Sequence, residues 1–263
     1  MEENTTKNYG LKFDEIKPED WKFGSNLPVE VLQEDGDWTS FLPMKEFQNL
    51  NNVEPYACVT FTVLNCIEIL IRQQYGEERN YSDRFLASIS GTNEDGNSPQ
   101  RVCQTLKNSG VVLQDVWPFN QNIDTFEKFY EKIPQDIIDM AKEFLDEWEF
   151  KHEYVGLDNE SIAQALKCSP LLISVSAWFE RGGKYYRPKG MKDNHATTLF
   201  SQKPEKFRRI FDTYEFPYIK DLEWAIPQVV KRFYIKKKPK VKKSFWEVIH
   251  NFFLSLLNKF RNI

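Results

Sequence analysis

Four cysteines and three histidines supply the chain's thiols and imidazoles. Cys58 has the most suggestive surroundings. Pro55-Tyr56-Ala57 precedes it, and the apolar run through Leu70 contains no further Gly or Pro. That pattern predicts a buried helix over residues 57–74, ending before Gly76, with the thiol in its first turn. The helix dipole and unpaired N–H groups there favour thiolate, the nucleophilic form. A cysteine in an apolar run is also an ordinary core residue, so chemistry requires partners: a base, and a third group that fixes the base's tautomer. His152 lies in Glu149-Phe150-Lys151-His152-Glu153 and reads as solvated surface, and His250 lies near the C-terminus. His195 opens a predicted strand directly after Asp193-Asn194, and the next predicted strand runs into Asp212. Antiparallel pairing of the two brings the start of one beside the end of the other, which sets Asp212 next to His195.

The elements that must hold these residues can be read along the chain. Residues 1–50 are polar and broken by Pro18, Gly24, Pro28, Gly36 and Pro43, which predicts irregular structure. Ser82 reads as an N-cap, and Ser98-Pro99 opens a helix closed by Gly110. Residues 124–147 carry helical periodicity. Residues 161–167 form a short helix stopped by Ser169-Pro170. Leu171–Trp178, His195–Phe200, Phe207–Phe211 and Val230–Lys236 read as strands. Helices first and strands second make an α+β chain with a cleft between the halves.

The chain resembles the papain-like cysteine proteases. Ala57-Cys58-Val59-Thr60-Phe61 is similar to that family's helix start. Asp95-Gly96-Asn97-Ser98-Pro99, with Gly110 and Trp117-Pro118-Phe119, is similar to its Gly loop, helix and aromatic-Pro-aromatic segment. Ser169-Pro170 with the following strand, Asn194-His195-Ala196 and Ile210-Phe211-Asp212-Thr213-Tyr214 match its later motifs in order. His195 follows Cys58 by 137 residues, inside the family's separation of roughly 130–150. The resemblance spans about residues 25–235. It implies a two-lobed fold with a helical N-terminal lobe and a mostly antiparallel C-terminal lobe. It further implies Cys58 as nucleophile, His195 as base and then acid, and Asp212 where the family usually has Asn. Gly96, Asn97, Asn194 and Tyr214 would line the substrate groove, with Tyr214 in place of a shielding Trp. A side-chain amide would complete the oxyanion hole: Asn52 fits by spacing, Gln48 by residue type. The family's long propeptide has no counterpart, so autoinhibition of that type is not expected.

Composition bounds the rest. With 263 residues, 41% of them hydrophobic, the chain can bury a large core. A net charge of −4 argues against a nucleic-acid partner. The cysteines lack zinc-site spacing, and no metal or cofactor is expected. Reduced thiols, and an N-terminus without a signal-peptide pattern, suggest a cytoplasmic monomer. Residues 1–235 read as the peptidase-like domain, with an N-terminal arm over 1–50. Residues 236–243 read as a basic linker and 244–263 as an amphipathic helix. That tail is expected to touch an anionic membrane peripherally, to dock on a partner helix or to fold back on the body. The leading function is a cysteine peptidase acting on a polypeptide substrate. The alternatives are transglutaminase-like or cell-wall peptide amide chemistry with the same triad, and a catalytically weak peptide-binding module tethered by its tail.

Overall fold

The computed structural model describes residues 7–17, 24, 27–203, 206–223 and 225–239. The predicted tail helix, with His250, lies outside these residues.

Helix α1 (Cys58–Tyr75) is the axis of the fold, with every residue from Cys58 to Ile71 buried. It is buried on all sides because helices pack on one flank and strands on the other. Gly76, with φ 66°, ends it in the left-handed region. Helix α2 (Asp83–Ile89) starts at Ser82, whose hydroxyl accepts from the Phe85 N–H. Helix α3 (Pro99–Ser109) is capped by Ser98 and ends at Gly110. The helical stretch expected over 124–147 is broken into α4 (Phe126–Phe129), α5 (Gln135–Met140) and α6 (Lys142–Glu147). Pro134 cannot donate to a continuous helix and stands instead at the start of α5.

The second half is built on β1 (Trp148–Tyr154), β2 (Leu171–Val175), β3 (Glu180–Arg181), β4 (Lys184–Tyr185), β5 (His195–Lys203), β6 (Phe207–Phe211), β7 (Ile219–Glu223) and β8 (Val230–Lys237). Helix α7 (Asn159–Cys168) joins β1 to β2, with Asp158 as its cap. The strands form one sheet in the order β1-β8-β2-β5-β6-β7-β4-β3, antiparallel except between β4 and β7. Strand β2 stops at Val175 rather than Trp178, and β5 runs on to Lys203. The stretch read as solvated surface around His152 is strand β1, paired along its length with β8. His152 itself is buried beside Lys231. Its alternating charged neighbours made a half-buried strand read as surface.

The N-terminal arm is irregular, as expected, but it is not peripheral. Tyr9 and Leu11 are buried in the main core, and Leu11 forms an isolated parallel bridge with Asn97. All four cysteines are free and buried. Among the described residues, no helix is long and apolar enough to cross a membrane, and no three acidic, histidine or cysteine side chains form a metal site.

Candidate active site

Three elements converge at one end of the sheet. Cys58 is the first residue of α1, where N–H groups lack intrahelical acceptors. His195 is the first residue of β5, which packs along α1. Asp212 directly follows β6, the antiparallel neighbour of β5. His195 Nε2 lies 2.7 Å from Asp212 Oδ1, with both side chains almost completely buried. His195 Nδ1 is buried with no hydrogen-bond partner, so one ring nitrogen is held and the other is open.

The loop before His195 is pinned from several directions. Ser174 Oγ donates to Asp193 Oδ2 at 2.6 Å, and Arg187 Nη1 donates to Asp193 Oδ1 at 3.1 Å. The Asp193 N–H donates to Gln228 Oε1 at 2.7 Å. Asn194 Oδ1 accepts from the Ala177 N–H at 2.8 Å. These bonds fix the entry into β5 and therefore the direction of the imidazole. The Trp178 and Tyr214 rings stand edge-on to it, with centroids 5.4 Å and 5.8 Å away.

The two oxyanion candidates are separated by the structure. Gln48 is buried, its backbone N–H donates to Thr213 O at 2.8 Å, and its side-chain Nε2 is buried without a partner. It therefore sits next to the residue after Asp212, with an unused donor. Asn52 is exposed, at φ 60°, in a turn that lengthens the loop before α1. Asn52 is thus a turn residue, and of the two amides Gln48 is the one buried beside Asp212-Thr213.

The groove beside Cys58 is filled by the arm. The Asn97 N–H donates to Gly10 O, and the Lys12 N–H donates to Asn97 O, both at 2.9 Å. A Cβ on Gly10 (φ 97°) would lie 2.1 Å from Tyr56 O, and one on Gly96 (φ 87°) 2.1 Å from Gly10 O. Only glycines permit this passage. Tyr9 covers the imidazole, with centroids 5.2 Å apart, and also packs on Tyr214. Asn194 Nδ2 donates to Lys7 O at 2.9 Å. Lys7 Nζ lies 3.4 Å from Glu54 and donates to the Tyr214 hydroxyl, which in turn donates to Glu54. Gly96, Asn97, Asn194 and Tyr214 therefore do contact an extended segment, and that segment is the chain's own. The short arm, rather than a long propeptide, occupies these positions.

Burial sets the electrostatics. It pushes the Cys58 thiol well up from its ordinary value; the Asp212 and Glu54 carboxylates add to this, while backbone hydrogen bonds at Ala196 and Val59 oppose it. With the arm seated, the thiolate-favouring effect expected of a helix start is thus outweighed. Tyr9 is pushed up to about 12 by burial, with Glu215, Glu54 and Asp212 adding to it. Burial alone would push the Asp212 carboxyl up as well, but contacts with His195 and Lys220 hold it below its ordinary value. Tyr9, Glu54, Trp178 and Lys220 were not singled out in the sequence. Tyr9, Glu54 and Lys220 sit in polar or mixed stretches, and Trp178 ends an apolar run that points to a strand and not to a site.

The architecture as a whole has known counterparts. Xylellain, a cysteine protease from Xylella fastidiosa, superposes with a TM-score of 0.60 at 15% identity, over 90% of this chain and 97% of that one. The bromelain protease from Ananas comosus gives 0.56 at 15% identity, over 74% and 96%. Digestive procathepsin L 3 of Tenebrio molitor gives 0.56 at 13% identity, over 79% and 71%. The fold is papain-like. No protein-family model matches the chain, and neither does any curated protein sequence.

Proposed function

We propose that the protein is a cysteine peptidase that cleaves peptide or isopeptide bonds through Cys58, His195 and Asp212. The observation that carries this reading is the buried imidazole, held on one nitrogen by Asp212 and left open on the other, in the residue before Ala196, whose backbone hydrogen-bonds Cys58 at the start of α1. The papain-like fold, shared with the cysteine proteases named above, supports it.

The chemistry follows from the placement. His195 Nδ1 takes the Cys58 proton, and the thiolate sulfur attacks the substrate carbonyl carbon. The resulting oxyanion takes hydrogen bonds from the Cys58 N–H and Gln48 Nε2. The imidazolium returns its proton to the departing amine, leaving a thioester. Water, deprotonated by the same imidazole, then releases the acid and restores the thiol. Asp212 keeps the ring in one tautomer throughout.

The arm must leave before a substrate can enter, because a peptide lying along Asn97 needs the backbone groups that Gly10 and Lys12 now use. The experiment that tests the reading is iodoacetamide labelling of the full chain near neutral pH, read cysteine by cysteine. Cys58 is expected to react well ahead of Cys66, Cys103 and Cys168 and to lose that lead in His195→Ala. Uniform slow labelling of all four, in the wild type and in Gly10→Ala, would contradict the proposal.

A further inference from the structure

Lys220, in β7, is almost completely buried. Its ammonium group donates to Asp212 Oδ2 at 2.9 Å and to the carbonyl oxygens of Glu215 and Pro217 at 2.8 Å each. It also lies over the Trp178 ring, 4.7 Å from the centroid, and that ring packs on His195. Asp212 is therefore bracketed, with His195 on Oδ1 and Lys220 on Oδ2. A buried cation spent on the far oxygen of a carboxylate, one bond away from the imidazole, calls for an electrostatic account.

We propose that Lys220 is a positioning residue of the candidate active site, cancelling the Asp212 charge so that Oδ1 acts on His195 as a neutral acceptor would. The inference rests on the reading of Cys58 and His195 as a reacting pair. A bare carboxylate beside that pair has two opposed effects. It stabilises the imidazolium it touches, and it repels the thiolate behind it. A neutral acceptor orients the ring and does neither. With Lys220 in place, Asp212 keeps the orienting bond while its field on the sulfur is offset.

The other charged groups around the pair do not provide this balance. Glu54, on the loop before α1, is acidic and adds to the repulsion of a thiolate, and Glu215, after Asp212, is acidic as well and acts on the Tyr9 phenol. Lys7, on the arm, pairs with Glu54 and leaves with the arm. Tyr9, Tyr130, Tyr185 and Tyr214, which also face this region, are phenols pushed up from their ordinary value, by burial first. They stay neutral through the working pH range. Lys220 is thus the buried cation that touches the third member of the triad.

The proposal predicts a pattern of signs. In Lys220→Met, the uncompensated carboxylate disfavours thiolate and favours imidazolium. Both limbs of the pH profile for Cys58 alkylation should therefore move to higher pH, by about one unit or more. In Asp212→Asn, the uncompensated ammonium does the reverse, and both limbs should move to lower pH. In the double variant both charges are gone, and the limbs should return to the wild-type positions.

The measurement is the rate of iodoacetamide labelling of Cys58 against pH in the full-length protein. The arm is present in every variant, so its effect on the limbs is common to all of them. Should Lys220→Met fail to fold, the double variant, which leaves no unpaired buried charge, is read against Asp212→Asn: limbs returned to higher pH support the proposal, and limbs that coincide with those of Asp212→Asn overturn it. Limbs that stay put in Asp212→Asn, or a double variant displaced as far as Lys220→Met, would overturn the proposal. A loss of amplitude in Lys220→Met with limbs unmoved would reduce Lys220 to an anchor for the Glu215–Pro217 loop. A Cys58 that labels no faster than Cys66 at any pH, in the wild type and in Gly10→Ala, would instead remove the underlying reading of the pair, which is a separate result.

Discussion

His195 and His152 are both buried, and each has a buried lysine close by, but the lysines are placed differently. At His195 a carboxylate stands between ring and ammonium, with Nε2 on Asp212 Oδ1 and Lys220 on Oδ2. At His152 the Lys231 ammonium nitrogen lies 3.2 Å from Nδ1 itself. Lys231 also donates to Gln100 Oε1 at 2.7 Å and lies 3.7 Å from the Tyr154 centroid. Burial, reinforced by Lys231 and Lys107, pushes His152 down to about 2, so this ring is a permanently neutral acceptor. Burial and a neighbouring cation are common to both sites. The interposed carboxylate is what differs: it occupies one ring nitrogen and leaves the other open to exchange a proton.

The widest separation between the two sites is expected in turnover. His195→Gln should lower peptide hydrolysis by about 10³-fold or more, whereas His152→Gln should leave kcat within about twofold in a folded protein. Equal losses in both would break the comparison. The next largest effect belongs to the unused donor at the same end of the sheet. Gln48→Ala should reduce kcat by about 10²-fold, with little change in KM, while Asn52→Ala, in the exposed turn, should not. A smaller effect, of opposite sign, comes from the arm over the first histidine. Gly10→Ala puts a methyl against Tyr56 O at a φ that only glycine tolerates. It should raise the Cys58 labelling rate by about fivefold or more, as the open population grows.

The smallest effect tests the second histidine through stability. His152 stays neutral in the folded chain but takes up a proton near pH 6.5 when unfolded. The unfolded state then holds the extra proton, so stability is lost as pH falls below about 6.5. The slope contributed is at most about 1.4 kcal/mol per pH unit. Denaturant titrations at about pH 7 and pH 5 should show the wild type losing about 1–2 kcal/mol more than His152→Gln. Parallel losses in the two proteins would show that His152 is not held neutral.

What could be read from the sequence follows from where local signals are strong. Helices α1, α2, α3 and α7 announce themselves by caps and stops: Gly76, Ser82, Ser98-Pro99 with Gly110, and Ser169-Pro170. Strand β2 is a short apolar run, and β5, β6 and β8 are stretches rich in β-branched and aromatic residues with polar residues interleaved. Strand β1 was hidden because Glu149, Lys151 and Glu153 alternate with the residues that carry the packing, and β7 because Lys220-Asp221 reads as solvated. The approach of His195 to Asp212 was legible, since it depends only on antiparallel pairing of neighbouring strands. The placement of Lys220 was not, because its burial depends on how β7 folds over Trp178. Nor was the arm's course, which depends on two glycines far apart in the chain meeting across the groove.

The passage of Gly10 between Tyr56 and Gly96 also governs competition. A tethered occupant acts at an effective concentration in the millimolar range, so a free peptide competes with a rival that dilution does not remove. For the proposed peptidase, the KM of the full chain would then exceed that of the bare groove by the reciprocal of the open fraction. Substrates presented in clusters or on a shared scaffold would be favoured over the same sequence supplied as a dilute peptide.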